Sequence, residues 1–415
     1  MSALLLLLLA CETASPPEAP TAVEAPPGVV KAEAPAAPTI EAPTPSPPQR
    51  AERHPAPLPS SPAVESARGL LSGVVDRWAV DPENPWALAH GLAARGVELK
   101  LADGRGAVDH LFERYAEPFE VEGRTLLRFP ESLGEVRVEP HSDLLLKSLV
   151  ESGASPDRSV TVKGQPHRLA DLWAGSLART WLVPARNHSR YSSPDDIAWS
   201  LYGLSGWASP GLSWTAMDGT PMRMDELADF AATVLHKETR FLASARDSGQ
   251  AFQRKGQGIF RYTCGGAHLL AGVSQALARG FGSPATRAAF QDQLGLLVYR
   301  FPIESGITRQ AVEAYPEHAD KLWVQRLKFA GHFLEGSSQL LIQGFGAPSP
   351  ELAAVQQQAV DEVVAAITAL EERGLLDQLP QVRARDEQLY LDIVGDSAHA
   401  LHGLNLVLGQ DEVRW

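Results

Sequence analysis

Three segments of this chain set a small residue before a histidine and a glycine four residues after it: Ala267-His268 through Gly272, Gly331-His332 through Gly336, and Ala398-His399 through Gly403. A fourth, Ala198-Trp199 through Gly203, has tryptophan where the others have histidine. Imidazole exchanges a proton near neutral pH and ligates metals. Cys264 stands four residues before His268 and Asp396 three before His399, so each pair shares one face of a helix. Cysteine, histidine and aspartate are a zinc-type donor set, which makes Cys264, His268, Asp396 and His399 candidate metal ligands and zinc the cofactor they would take. Two other readings stay open. One is a metal-free polar pocket walled by the ligand-binding candidates Trp199, His332 and His399. The other has the histidines only packing helix starts against the glycines of neighbouring repeats.

A second constellation is Asn187-His188-Ser189-Arg190-Tyr191. Elimination from a uronate needs a His or Tyr to remove the C5 proton, a Tyr to protonate the leaving oxygen, and Asn or Arg to neutralise the carboxylate. His188 and Tyr191 are therefore candidate catalytic groups, with Asn187 and Arg190 as ligand-binding ones. Arg261, Tyr262 and His268 complete the catalytic set if they face the same mouth. A solvated polar loop is the plainer account of 187–191. Other combinations are poorer: Asp195-Asp196, Asp225-Glu226 and Glu371-Glu372 are adjacent acids that point to different faces. The sequence has no Gly-x-Ser-x-Gly elbow, and Gly256-Gln257-Gly258 lacks the lysine of a phosphate loop.

The elements that must carry these residues read as helix after helix. Leu227 to Leu242 and Leu352 to Leu370 repeat apolar residues at steps of three and four, one buried helical face each. Strand signals are confined to Val121–Phe129, turning at Glu122-Gly123, and to Val136-Arg137-Val138. The anchors 199, 268, 332 and 399 recur every 64 to 69 residues, the length of two helices with their loops. Weaker echoes around His90 and His141 bring the number of units to six. Six helical hairpins can stack as an open superhelix or close into a ring. Glycines on the recurring segments favour the ring, because inner helices crowd around an axis and glycine permits close approach. The expected fold is therefore mainly α, with up to six helical hairpins in a closed ring and a small β-hairpin insertion near 121–138.

On these segments the body, residues 67–415, resembles the α/α toroids, which include polysaccharide lyases, glycoside hydrolases, lanthionine cyclases and terpenoid cyclases. The resemblance implies that equivalent positions on successive inner helices converge on one mouth, so that His268, His332 and His399 line a cup beside Trp199. Lanthionine cyclases and protein prenyltransferases hold zinc in such mouths with Cys and His, the latter adding Asp; this chain lacks the Cys-His-Gly sequence of the cyclases. The 187–191 segment is distantly similar to the Asn-Asn-His-x-Tyr-Trp motif of toroid alginate lyases, with Asn187 and His188 at matching positions. It departs in that Ala185-Arg186 precede Asn187, Arg190 stands before Tyr191, and no Trp follows directly. An enzyme of this kind would be a polysaccharide lyase or a zinc-dependent toroid enzyme, although a fold alone transmits neither activity.

The chain opens Met1-Ser2-Ala3, then leucine from 4 to 9, then Ala10-Cys11. Such a run is too short to span a bilayer and suits the apolar core of a signal peptide. Leu8-Leu9-Ala10-Cys11 resembles the lipobox of bacterial lipoproteins, which implies removal of residues 1–10 and lipidation at Cys11. Several acyl chains together hold a protein on a membrane. No Lys or Arg precedes the leucines, where a signal peptide normally carries positive charge. Residues 11–66 are dominated by Pro, Ala, Glu, Ser and Thr, too poor in apolar side chains to offset the entropy of ordering. At about 3.1 Å per residue this stalk reaches up to roughly 170 Å.

A net charge of -13 without a basic run argues against nucleic acid and against an anionic bilayer surface as partners. The chain thus reads as an exported, membrane-anchored lipoprotein of the bacterial envelope, on its periplasmic or cell-surface face. Its expected partners are the membrane, through the N-terminal lipid, and a polysaccharide or cell-wall ligand bound or processed in a helical cup. The alternative is a non-catalytic envelope scaffold whose histidines serve helix packing alone.

Overall fold

The structure, a computed structural model, describes residues 56–183, 188–189, 197–254 and 256–410. The expected signal peptide, Cys11 and the stalk as far as residue 55 lie outside the described residues, as do Asn187, Arg190, Tyr191 and the side chain of His188.

Pro62–Trp78 (α1) opens with Ser61, whose hydroxyl accepts the Val64 N–H, and with proline at its first position, so the body begins ahead of Ala67. Pro85–Arg95 (α2) repeats that arrangement with Asn84 capping Ala87. Next come Ala107–Tyr115 (α3), the hairpin of Glu117–Val121 (β1) and Arg124–Arg128 (β2), and the short pair Ser132–Leu133 (β3) and Val136–Arg137 (β4). Glu122 and Gly123 form the β1–β2 turn with φ of 49° and 78°, the mirror-image turn whose twist matches a tight hairpin. Leu144–Glu151 (α4) is followed by the hairpin Ser159–Val162 (β5) and Gln165–Arg168 (β6), then Leu169–Ala178 (α5). Leu182–Val183 (β7) pairs with His188–Ser189 (β8) ahead of Ile197–Trp207 (α6), and Ser213–Thr215 (β9) with Pro221–Arg223 (β10) ahead of Met224–Asp247 (α7). Two short 3-10 turns, Gly258–Arg261 and Thr263–Gly266, lead into Ala267–Ala278 (α8). Pro284–Phe290 (α9), Gln293–Ala314 (α10), Ala319–Ile342 (α11), Pro350–Glu372 (α12), Leu379–Arg385 (α13) and Glu387–Val407 (α14) complete the described chain. The protein is mainly α with small antiparallel two-stranded sheets. The hairpin expected near 121–138 is present as β1 to β4; the pairs β5–β6, β7–β8 and β9–β10 were not expected.

Burial separates two kinds of helix. Every residue of α6 is buried, and α11 and α14 are buried over most of their surface, whereas α1, α7 and α12 bury one apolar face and leave the other in water. The buried helices follow one another in contact: α2 packs on α4, α4 on α6, α6 on α8, α8 on α11, α11 on α14, and α14 on α2. Helices α1, α7, α10 and α12 pack against these buried helices. The recurring glycines set the spacing. A Cβ on Gly272 would stand 2.4 Å from the Ala198 carbonyl oxygen of α6, and one on Gly403 2.9 Å from the Gly331 carbonyl oxygen of α11. One apolar cluster runs through the body from Val64 to Leu408, and each fully buried leucine in it, such as Leu71, contributes about 2 kcal/mol. The chain's described ends meet where the Leu58 N–H donates to the Val407 carbonyl at 2.9 Å.

Candidate functional site

Each buried helix brings one ring to the same place. His90 on α2, His141 just ahead of α4, Trp199 on α6, His268 on α8, His332 on α11 and His399 on α14 all line one cavity of about 440 Å³. Their rings touch in sequence. His141 stacks flat on Trp199, with centroids 4.3 Å apart and planes 5° from parallel, and Trp199 lies 4.7 Å from His268. His268 meets His332 edge-on at 5.2 Å, His332 lies 4.2 Å from His399, and His399 meets His90 edge-on at 5.3 Å. Trp86, one turn before His90, covers that ring at 3.9 Å, and its carbonyl accepts the His90 Nδ1–H at 2.7 Å.

Behind the rings sits a buried carboxylate. Glu335, one turn past His332, accepts Nδ1–H bonds from His399 at 2.9 Å and His402 at 2.8 Å, and lies 3.7 Å from Nδ1 of His332. Burial alone would raise the Glu335 carboxyl, but His399, His332 and His402 together hold it well below the usual carboxylate range. Burial pushes His90 and His268 well below the ordinary imidazole value, helped by the neighbouring histidines, and pushes His141 and His332 down to about 4. Four of the rings are therefore neutral at pH 7, with a lone pair on one nitrogen each. Three buried polar atoms of this lining, Trp199 Nε1, His332 Nε2 and Asp396 Oδ2, have no hydrogen-bond partner among the described residues. Such atoms are costly to bury unless something else satisfies them.

Charges ring the wall and underlie it. Lys328 Nζ lies 3.3 Å from Asp392 and 3.6 Å from Asp396, whose carboxyl burial nonetheless pushes well up. Deeper in the body, Lys147 pairs with Glu151 on α4 and stands 5.5 Å over the Tyr202 ring. Cys264 reaches the cavity from the turn ahead of α8, where Cys264, Gly265 and Gly266 take successive left-handed conformations with φ of 52°, 61° and 81°. That conformation is strained for a residue with a Cβ, and it persists here because the turn is held: Arg300 donates to the Gly265 carbonyl at 3.0 Å while bound to Glu304.

Comparison with protein-family models, curated proteins and solved structures found no match. The geometry itself sorts the residues singled out in the sequence. Trp199, His268, His332 and His399 are brought together, and Cys264 stands beside them. Of the expected metal ligands, Cys264 and His268 group instead with His332, the three donor atoms lying within 4.8 Å of one another. His399 groups with His332 and Glu335 within the same span, and Asp396 faces the same cavity 3.6 Å from Lys328. Arg261 and Tyr262 do not line the cavity; the exposed Arg261 guanidinium is paired with Glu238 at 2.8 Å, which leaves neither placed for elimination chemistry in the cup. Glu335 and His402 were missed. The signal available was their spacing, three residues after His332 and His399, which puts each on the face of a residue already singled out.

Proposed function

We propose that this chain is an envelope lipoprotein whose helices form an α/α ring, six helices inside and others outside, and that the cup at its centre binds or acts on a polysaccharide. The observation that carries the reading is the meeting of one ring-bearing side chain from, or just ahead of, each of six successively packed helices in one cavity. Its volume, about 440 Å³, lies in the range of small-molecule sites, roughly 300–1,000 Å³. His141 and His268 pack on the Trp199 ring and hold it in the wall, while Glu83, Glu135, Arg137 and Arg383 around the cavity suit the hydroxyls of a sugar. The anchor at Cys11 and the stalk rest on the sequence alone; no helix among the described residues is long and apolar enough to cross a membrane.

Binding of envelope glycans and peptidoglycan fragments to the purified protein, by calorimetry and with product analysis, tests the cup. Trp199→Ala, which removes the ring that His141 and His268 pack on, is expected to weaken binding about tenfold. Binding that Trp199→Ala leaves untouched would place the ligand elsewhere. The second reading, a scaffold with packing histidines, draws on the bonds of His90, His399 and His402 to protein groups. It predicts no glycan bound and a lower melting temperature for His399→Ala. For the anchor, labelling with a palmitate analogue should vanish in Cys11→Ser.

A further inference from the structure

We propose that Cys264, His268 and His332 bind one zinc ion in the wall of the cup, with one coordination position open to the cavity. The inference rests on the reading of the cup as a functional site and names what that site would hold. Donor atoms of the three residues lie within 4.8 Å of one another. Tetrahedral zinc, with bonds of about 2.0–2.3 Å, spaces its ligand atoms about 3.5 Å apart, so the three need close by only a small rotamer adjustment. His332 is 8% exposed, and its Nε2 has no partner among the described residues. A buried imidazole nitrogen in that state, beside a thiol and a second imidazole, is available as a ligand atom.

Two further features agree. Cys264 is carried by the strained turn Cys264-Gly265-Gly266, fixed by the Arg300 bond to Gly265. Glu335 stands behind His332, 3.7 Å from its Nδ1, where carboxylates commonly orient zinc-bound imidazoles. The nitrogen and sulfur donors select zinc over magnesium or calcium, which take oxygen. Three protein ligands with an open fourth position is the arrangement of a zinc that meets water or a ligand, rather than of a closed structural site.

The test uses the full chain, stripped with a chelator, reloaded with zinc or cobalt(II), and analysed by elemental mass spectrometry and near-ultraviolet absorption. About one equivalent of zinc per chain is expected, and cobalt should give a thiolate-to-metal charge-transfer band. Cys264→Ser should abolish the band and weaken zinc binding at least about tenfold, His332→Ala should do the same, and Cys11→Ser should change neither. Circular dichroism melts identify any variant that has simply unfolded, in which case Cys264→Ser, nearly isosteric, decides. Failure of the wild-type chain to take up zinc, or an unchanged band in Cys264→Ser, overturns the proposal. Glycan binding measured on the same stripped and loaded samples keeps the two readings apart: binding without zinc uptake removes the metal and leaves the cup, whereas zinc uptake without glycan binding does the reverse.

Discussion

Glu139 shows how far this interior bends single residues. Burial, with Asp143 alongside, pushes its carboxyl up to about 8 against the pull of Arg179, and its Oε1 accepts the Leu145 N–H at 3.1 Å. Asp143 itself is held by Arg179 at 3.4 Å and by the Ser200 hydroxyl. A carboxyl whose folded value lies above its unfolded one stabilises most at low pH, and that stability is lost as pH rises through the window up to about 8. Glu139→Gln keeps the acceptor and removes the charge. Denaturant melts from pH 5 to 9 should therefore lose up to about 4 kcal/mol more in the wild type than in the variant; parallel profiles would show that Glu139 is ionised in the fold. His141 works in the other direction: pushed down to about 4, it costs stability as pH falls from the ordinary imidazole range. The cup's main residues were legible because one helical turn separates each His or Trp from its glycine. Asp396 lies well inside α14, three residues before His399, whereas Cys264 precedes α8 on a left-handed turn, four residues before His268, so helical spacing describes the first pair and not the second.

At the scale of elements, glycines divide into those that let helices touch and those that do not. Gly272→Ala would drive a methyl into the Ala198 carbonyl of α6, and should destabilise by about 1–3 kcal/mol with loss of cup geometry. Gly69 and Gly73 of α1 have open space around them, so Gly69→Ala and Gly73→Ala should stabilise by about 0.5–1 kcal/mol each. Thermal melts of the three variants check the contrast; a stabilised Gly272→Ala would mean that α6 and α8 stand farther apart than described. Helices were easy to read from apolar periodicity, and so was the β1–β2 hairpin from Glu122-Gly123. The β5–β6 hairpin escaped, although Lys163 and Gly164 take the same pair of positive φ values, because four-residue strands carry too little alternation to stand out from a loop.

Among the described residues, the first and last long helices close the body. Helix α14 packs on both α1 and α2, and α1 also packs on α12, so no buried helix can leave without opening the succession. Secondary structure and aromatic environment should then be lost in one transition, checked by coincidence of far- and near-ultraviolet circular dichroism; two separated melts would divide the body into independent parts. The repeat of six was only partly legible at this scale. His90 and His141 share the cavity with the rest, yet His141 lies ahead of its helix, and the glycine beside His90, Gly91, is used against Ala79 instead. The bond between Leu58 and Val407 also sets a direction of pull. Residues Glu387 to His399 of α14 line the cavity, and Val407 lies about 12 Å farther along the axis, at 1.5 Å per residue. A pull applied at Leu58 therefore loads α14 about 12 Å beyond the last of its residues that line the cavity, not at the cavity wall itself.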